Sequence, residues 1–179
     1  MTSSFQVAER SLDSLVQDFF QASEGKWRSQ RRYYTLKDDE TQEVVSFLTV
    51  QFLEQGSAEL LHLAGLHQLE DASIITCGTL VTWESNYIGP SPKQTTGSTV
   101  FGVCGAQLYR DRGFSTSKPV IAQFSMRDPK TMCLRTEYSG NLFEEEIKMI
   151  GTEYRTRQTI IARAGEEQMI GQYLEKRLV

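Results

Sequence analysis

From Ser73 onward the chain is a succession of short strand-forming segments, each closed by turn chemistry. That punctuation restricts the fold more than any other feature. The segments cover residues 74–84, 98–110, 118–126, 132–138, 141–149, 153–162 and 168–177. Between them stand Gly89-Pro90-Ser91-Pro92, Asp111-Arg112-Gly113, Asp128-Pro129-Lys130, Ser139-Gly140-Asn141 and Ala164-Gly165-Glu166. Glycine, proline, asparagine and aspartate supply the backbone angles and local hydrogen bonds that reverse a chain. Many short strands joined by tight turns predict an antiparallel meander. A meander best avoids exposed edges by closing into an up-and-down barrel. A barrel of about eight strands has room for one small ligand.

The N-terminal part fits the same plan. Residues 11–22 carry Leu12, Leu15, Val16, Phe19 and Phe20 at helical spacing, with Asp13, Ser14, Gln17 and Asp18 opposite, and predict a helix packed on the body of the domain. Its acidic polar face argues against a membrane-surface helix. Residues 25–36 are rich in strand-forming aromatics and predict a first strand, and residues 44–53 a second. Residues 57–68 predict a short helix, with Ser57 as N-cap and Leu60, Leu61, Ala64 and Leu66 as its apolar stripe. The expected fold class is mainly β: an antiparallel up-and-down β-barrel with an N-terminal helix and a short second helix.

Composition removes several function classes. A chain of 179 residues with 39% apolar and 23% charged residues fits one globular domain, taken as 1–179. Its net charge of -4 is unlike that of a general nucleic-acid binder. No apolar run reaches the roughly 18 residues of a membrane helix. Met1-Thr2-Ser3-Ser4 does not begin a basic region followed by an apolar core, so no secretory signal is expected. Three well-separated cysteines, Cys77, Cys104 and Cys133, form no zinc pattern and suit a reducing cytoplasm. His62 and His67 lie five apart on a predicted helix, which is poor metal geometry. No metal site and no resident cofactor are expected.

The candidate site begins with Glu153-Tyr154-Arg155-Thr156-Arg157-Gln158-Thr159. On a strand Arg155 and Arg157 share a face. Periodicity leaves that face open: solvated charge pairs are common on strands, whereas an inward pair would need an anionic partner. Trp27 and Trp83 read as core or cavity-wall aromatics. Arg28, Arg31 and Arg32 crowd one aromatic segment. Glu144-Glu145-Glu146 opens the strand that should pair with the Arg155 strand through the turn near Gly151. The cysteines lack an adjacent histidine and read as buried strand residues rather than nucleophiles.

Three stretches, taken together, resemble one known family. The stretch from Phe19-Phe20-Gln21-Ala22 through Trp27-Arg28-Ser29-Gln30-Arg31-Arg32-Tyr33-Tyr34 is similar to the opening of the S-type phycobiliprotein (bilin) lyases, the CpcS/CpeS chromophore lyases. Gly78-Thr79-Leu80-Val81-Thr82-Trp83-Glu84 resembles that family's tryptophan strand, and Arg155-Thr156-Arg157 its Arg-x-Arg strand. The resemblance implies a barrel like those of lipocalins and fatty-acid-binding proteins, with a helix at its mouth. It implies an open-chain tetrapyrrole, phycocyanobilin or a related bilin, as a substrate held non-covalently. The bilin is then passed to a cysteine of a phycobiliprotein acceptor subunit of phycocyanin or allophycocyanin type.

By the same resemblance Arg155 and Arg157 grip bilin oxygens, Trp83 packs on the conjugated system and Arg31 closes the mouth. The resemblance also implies that Glu145, at the family's acidic position ahead of the Arg-x-Arg strand, is the catalytic group at the pyrrole nitrogens. A monomer, a homodimer and a heterodimer with a sister lyase subunit all fit the resemblance. A lipocalin-type carrier of bilin or fatty acid, without transfer, is the alternative function.

Overall fold

In a computed structural model the described residues are 10–179, so the reading of Met1-Thr2-Ser3-Ser4 lies outside them. Within these residues helix α1 covers Leu12–Ser23 and helix α2 covers Ala58–Leu66. The strands are β1 Gly25–Thr35, β2 Glu40–Glu54, β3 Cys77–Ile88, β4 Lys93–Cys104 and β5 Gln107–Arg110, followed by β6 Val120–Asp128, β7 Thr131–Tyr138, β8 Asn141–Ile150, β9 Tyr154–Arg163 and β10 Glu166–Arg177. Each pairs antiparallel with its neighbour in sequence, and β1 pairs with β10, so the sheet closes as an up-and-down barrel.

The barrel has ten strands, where the sequence predicts nine. The extra one comes from the stretch read as a single strand over residues 98–110. It folds back at Gly105, which takes a φ of +58° that favours glycine, and so gives both β4 and β5. The predicted start of β3 at residue 74 also moves. Asp71 accepts a 2.9 Å hydrogen bond from Ser73 N and caps a short 3-10 turn over Ala72–Ile74, and the strand starts at Cys77.

The two helices cover different surfaces at the same end of the barrel. Ser11 caps α1, accepting from Ser14 N at 3.2 Å, and the stripe of Val16, Phe19 and Phe20 packs inward with Trp27, Leu48 and Phe124. Ser57 caps α2, whose Leu60 and Leu63 join Leu53, Ile75 and Tyr109 in a second cluster on the outside of the sheet. Gly102 makes that packing fit: a β-carbon there would lie 2.8 Å from Leu63 Cδ2. Neither helix is long and apolar enough to cross a membrane.

Arg177, at the end of β10, ties α1 to the barrel. Its Nη2 donates to Ala22 O at 2.6 Å, Nη1 donates to Glu24 O, and Nε donates to Thr152 O at 2.8 Å. The guanidinium also lies 4.3 Å from the Trp27 ring. It neutralises carbonyls that the last turn of a helix leaves unpaired. Arg177→Ala is expected to lower stability by about 1–2 kcal/mol, read from urea midpoints; a midpoint equal to wild type would contradict this role.

Candidate functional site

α1 closes one end of the barrel, and the opposite end opens into a cavity of about 320 Å³. Tyr33, Tyr87, Thr95, Arg112, Phe114 and Met169 line its outer part. Deeper down, strand alternation sends one residue in two into the cavity. On β9 these are Arg155, Arg157, Thr159 and Ile161. The Arg-x-Arg pair therefore points inward, which decides the face that periodicity leaves open.

Both arginines find carboxylates inside the barrel. Arg155 Nε donates to Glu175 Oε1 at 2.8 Å, and its guanidinium lies 4.9 Å from the ring of Trp27. Glu175 is fully buried, directly across the β9–β10 ladder from Arg155. Arg157 Nη2 donates to Glu145 Oε1. The other oxygen of that carboxylate, Oε2, stands 4.0 Å from Nη1 of Arg110 on β5. Of the three consecutive glutamates only Glu145 faces the interior. Glu144 and Glu146 point out to Arg135 and Arg127, at 3.7 and 2.6 Å.

β1 sorts its arginines by the same alternation. Arg31 faces in, with Nε donating to Ser29 Oγ at 3.0 Å and the guanidinium 4.8 Å from the Tyr173 ring. Arg32 faces out and pairs with Glu43 at 3.1 Å. Trp83 forms part of the cavity wall near the open end, with Arg112 5.6 Å from its ring. Trp27 belongs to the core beneath α1, its indole N–H donating to Ser23 O at 2.9 Å. The structure thus brings Arg31, Trp83, Glu145, Arg155 and Arg157 to one barrel interior.

Arg110, Glu175 and Tyr173 complete this interior, and no sequence motif points to them. Arg110 is buried between the rings of Phe101 and Phe114, at 4.9 and 4.8 Å. Tyr173 lies between Arg31 and Arg157 and meets Tyr33 edge-on, with ring centres 5.7 Å apart.

The electrostatics follow from burial set against charge. Burial opposes ionisation of Glu175, but the charges of Arg155, Arg31 and Arg157 outweigh it and hold its pKa below the ordinary value. Burial likewise opposes the charge of Arg157, and Glu145 reverses the effect and raises its pKa. For Arg110 burial prevails over Glu145, and its pKa falls. Burial raises the pKa of the Tyr173 hydroxyl and keeps it neutral. Arg110 Nε, Arg157 Nε, Glu145 Oε2, Glu175 Oε2 and Thr159 Oγ1 are buried without a hydrogen-bond partner.

Among the described residues four arginines of the interior, Arg31, Arg110, Arg155 and Arg157, face two carboxylates, Glu145 and Glu175. Such a surplus of positive charge within aromatic walls suits a flat, conjugated anion. Burial pushes the Cys77 thiol up to about 11. His67 is a structural contact, its Nε2 2.9 Å from the backbone oxygen of Arg110.

Comparison with known proteins gives one consistent result. Residues 15–178 match the profile of a family described as CpeS-like protein. A protein of Nostoc sp., named as a candidate phycocyanobilin lyase, CpcS 2, is 58% identical over 167 residues, 93% of each chain. A candidate chromophore lyase of Picosynechococcus sp., CpcV, is 50% identical over 161 residues, 89% of this chain and 80% of that one. The solved structure of the S-type phycobiliprotein lyase CPES from Guillardia theta superposes with a TM-score of 0.77 at 22% identity, covering 92% of this chain and 93% of that one. The structural likeness supports the closed antiparallel barrel.

Proposed function

The chain belongs to the CpeS-like protein family, and we propose that it is a chromophore lyase for an open-chain tetrapyrrole such as phycocyanobilin. The observation that carries this reading is the barrel interior: among the described residues, a cavity with aromatic walls, four arginines inside it besides Arg112 at its open end, and two inward carboxylates. A bilin brings a conjugated system and two propionates, which answer the aromatic surface and the surplus of charge. The acceptor is a phycobiliprotein subunit of phycocyanin or allophycocyanin type.

In the proposed reaction the acceptor's thiolate sulfur bonds to the ethylidene carbon of bilin ring A. The electron pair of that double bond moves into the conjugated system, and a proton is added at the neighbouring ring carbon. Nothing leaves and nothing is oxidised: the thiol adds across a double bond. The chain's own residues prepare this step. Arg155 and Arg157 keep their carboxylate partners and present their remaining N–H groups to bilin oxygens. Glu145 Oε2, buried and without a hydrogen-bond partner, meets the pyrrole nitrogens and favours the protonated, more electrophilic bilin. Trp83 packs on the pigment and Arg31 closes over it. Fixing one reactive conformer and excluding wrong additions supply most of the rate.

The test is to add phycocyanobilin and then an acceptor subunit. Uptake should alter the pigment's absorption, and denaturing gels should show bilin fluorescence on the acceptor above a lyase-free control. Altered absorption without transfer would leave a carrier of bilin instead. Arg155→Ala and Arg157→Ala should each weaken bilin binding by about 1–3 kcal/mol, with circular dichroism checking the fold. Unchanged affinity in the double mutant would remove both arginines from the binding site.

A further inference from the structure

Arg112 lines the cavity only at its open end, exposed beside Trp83; among the four arginines inside, pairing each interior carboxylate with its nearest cation leaves two over. Glu175 accepts from Arg155, and Glu145 accepts from Arg157. Arg31 has no carboxylate within ion-pair distance among the described residues; its Nε is bonded to the neutral hydroxyl of Ser29. Arg110 reaches Glu145 Oε2 only at 4.0 Å, beyond hydrogen-bonding distance, and its side chain makes no hydrogen bond among the described residues. Yet Arg110 is only 6% exposed, and it is held in place by Phe101 and Phe114.

A guanidinium so buried, without a hydrogen-bonded carboxylate, is costly. Contact with two rings holds its guanidinium in place, which suits a fork that recognises a planar carboxylate. Arg31 and Arg110 both line the cavity. Their strands, β1 and β5, are separated by three strands one way around the barrel and five the other, so they stand on nearly opposite walls.

We propose that Arg110 is an unassigned carboxylate-binding residue, and that it and Arg31 each take one of the substrate's two propionates, spanning the cavity between them. The inference rests on the bilin reading and deepens it. Arg155 and Arg157 set the depth and charge of the site through Glu175 and Glu145; the two remaining arginines count the ligand's carboxylates. A ligand with one carboxylate, such as a fatty acid, would leave one of them unanswered.

The experiment compares phycocyanobilin with its dimethyl ester, both titrated by absorption onto the full chain. Wild type should prefer the diacid. Arg110→Gln and Arg31→Gln should each reduce the diacid-to-diester preference by about ten- to a hundredfold, the range of one charge-assisted hydrogen-bonded contact, and the double variant should abolish it. Arg110→Lys keeps a cation beside Glu145 and covers the case in which Arg110→Gln does not fold. It too should lower the ratio, because lysine lacks the planar fork.

An unaltered ratio in either Arg110 variant, or equal weakening of diacid and diester, overturns the assignment while bilin binding by wild type stands. A wild-type protein that takes up neither pigment overturns the bilin reading itself, and this assignment with it.

Discussion

Glu175→Ala is expected to destabilise the fold by about 3–5 kcal/mol, the cost of leaving a buried charge without its partner. The carboxylate is 0% exposed, and the arginine it holds is 7% exposed, lying against Trp27 beneath α1. Removing both charges should cost less than removing one, so Arg155→Met combined with Glu175→Leu should be more stable than Glu175→Ala alone. Urea unfolding of the single and double variants at neutral pH measures both. A Glu175→Ala loss below about 1 kcal/mol would mean that the pair is far more hydrated than its burial indicates.

The same pair has a pH signature. Because the folded-state pKa of Glu175 is depressed, its contribution is fully present above the unfolded glutamate value, about 4.3. It is lost as pH falls through the folded value. The stability gap between wild type and Glu175→Gln should therefore narrow as the solution is acidified below that point.

Glu175 also shows where reading the sequence stops. The alternation on β9 puts Arg155 and Arg157 on one face, and the pairing of β8 with β9 through the turn near Gly151 holds in the structure. Which face is inside depends on partners that local pattern does not reveal. Arg155 meets Glu175 across a hairpin whose register shifts between Glu167 and Met169. Counting back from the turn without that bulge places Tyr154 opposite Glu175, and a one-residue slip moves every side chain to the other face.

Arg110 is hidden by a similar event. An unbroken strand over residues 98–110 puts Arg110 on the face opposite Thr99, Phe101 and Val103. The reversal at Gly105 switches the alternation, so that Leu108 and Arg110 join Thr99 and Phe101 in lining the cavity. The helices, by contrast, were legible nearly to the residue. The serine N-caps and the stripe of α1 are local signals; the stripe read for α2 is only half right, since Leu61 and Leu66 are exposed and Leu63 is buried in their place, because which side of a mostly apolar helix packs on the sheet is set by the sheet. Among Arg31, Arg32 and the three consecutive glutamates, residue type alone does not select the inward side chain; closure of the barrel does.

Glu145→Gln should retain the pigment and lose its transfer, by about 10²- to 10⁴-fold if Glu145 handles a proton in the addition step. The substitution keeps the shape and leaves a carbonyl that accepts from Arg157, the contact that Glu145 Oε1 makes. It removes the group that can hold a proton at Oε2, the oxygen buried without a hydrogen-bond partner. Electrostatics separates this outcome from a simple binding defect. Neutralising one of the two interior carboxylates raises the surplus of positive charge facing a dianionic bilin, so affinity should hold or rise while the rate falls. Glu144→Gln and Glu146→Gln, on the outward face of the same strand and paired with Arg135 and Arg127, should transfer bilin as wild type does. Initial rates of fluorescent labelling of the acceptor, at saturating bilin, read all three variants. A Glu145→Gln protein that labels at the wild-type rate would remove proton handling from Glu145. One that loses bilin binding and transfer in equal measure would make Glu145 part of the grip on the pigment, with the proton coming from solvent or from the acceptor's own thiol.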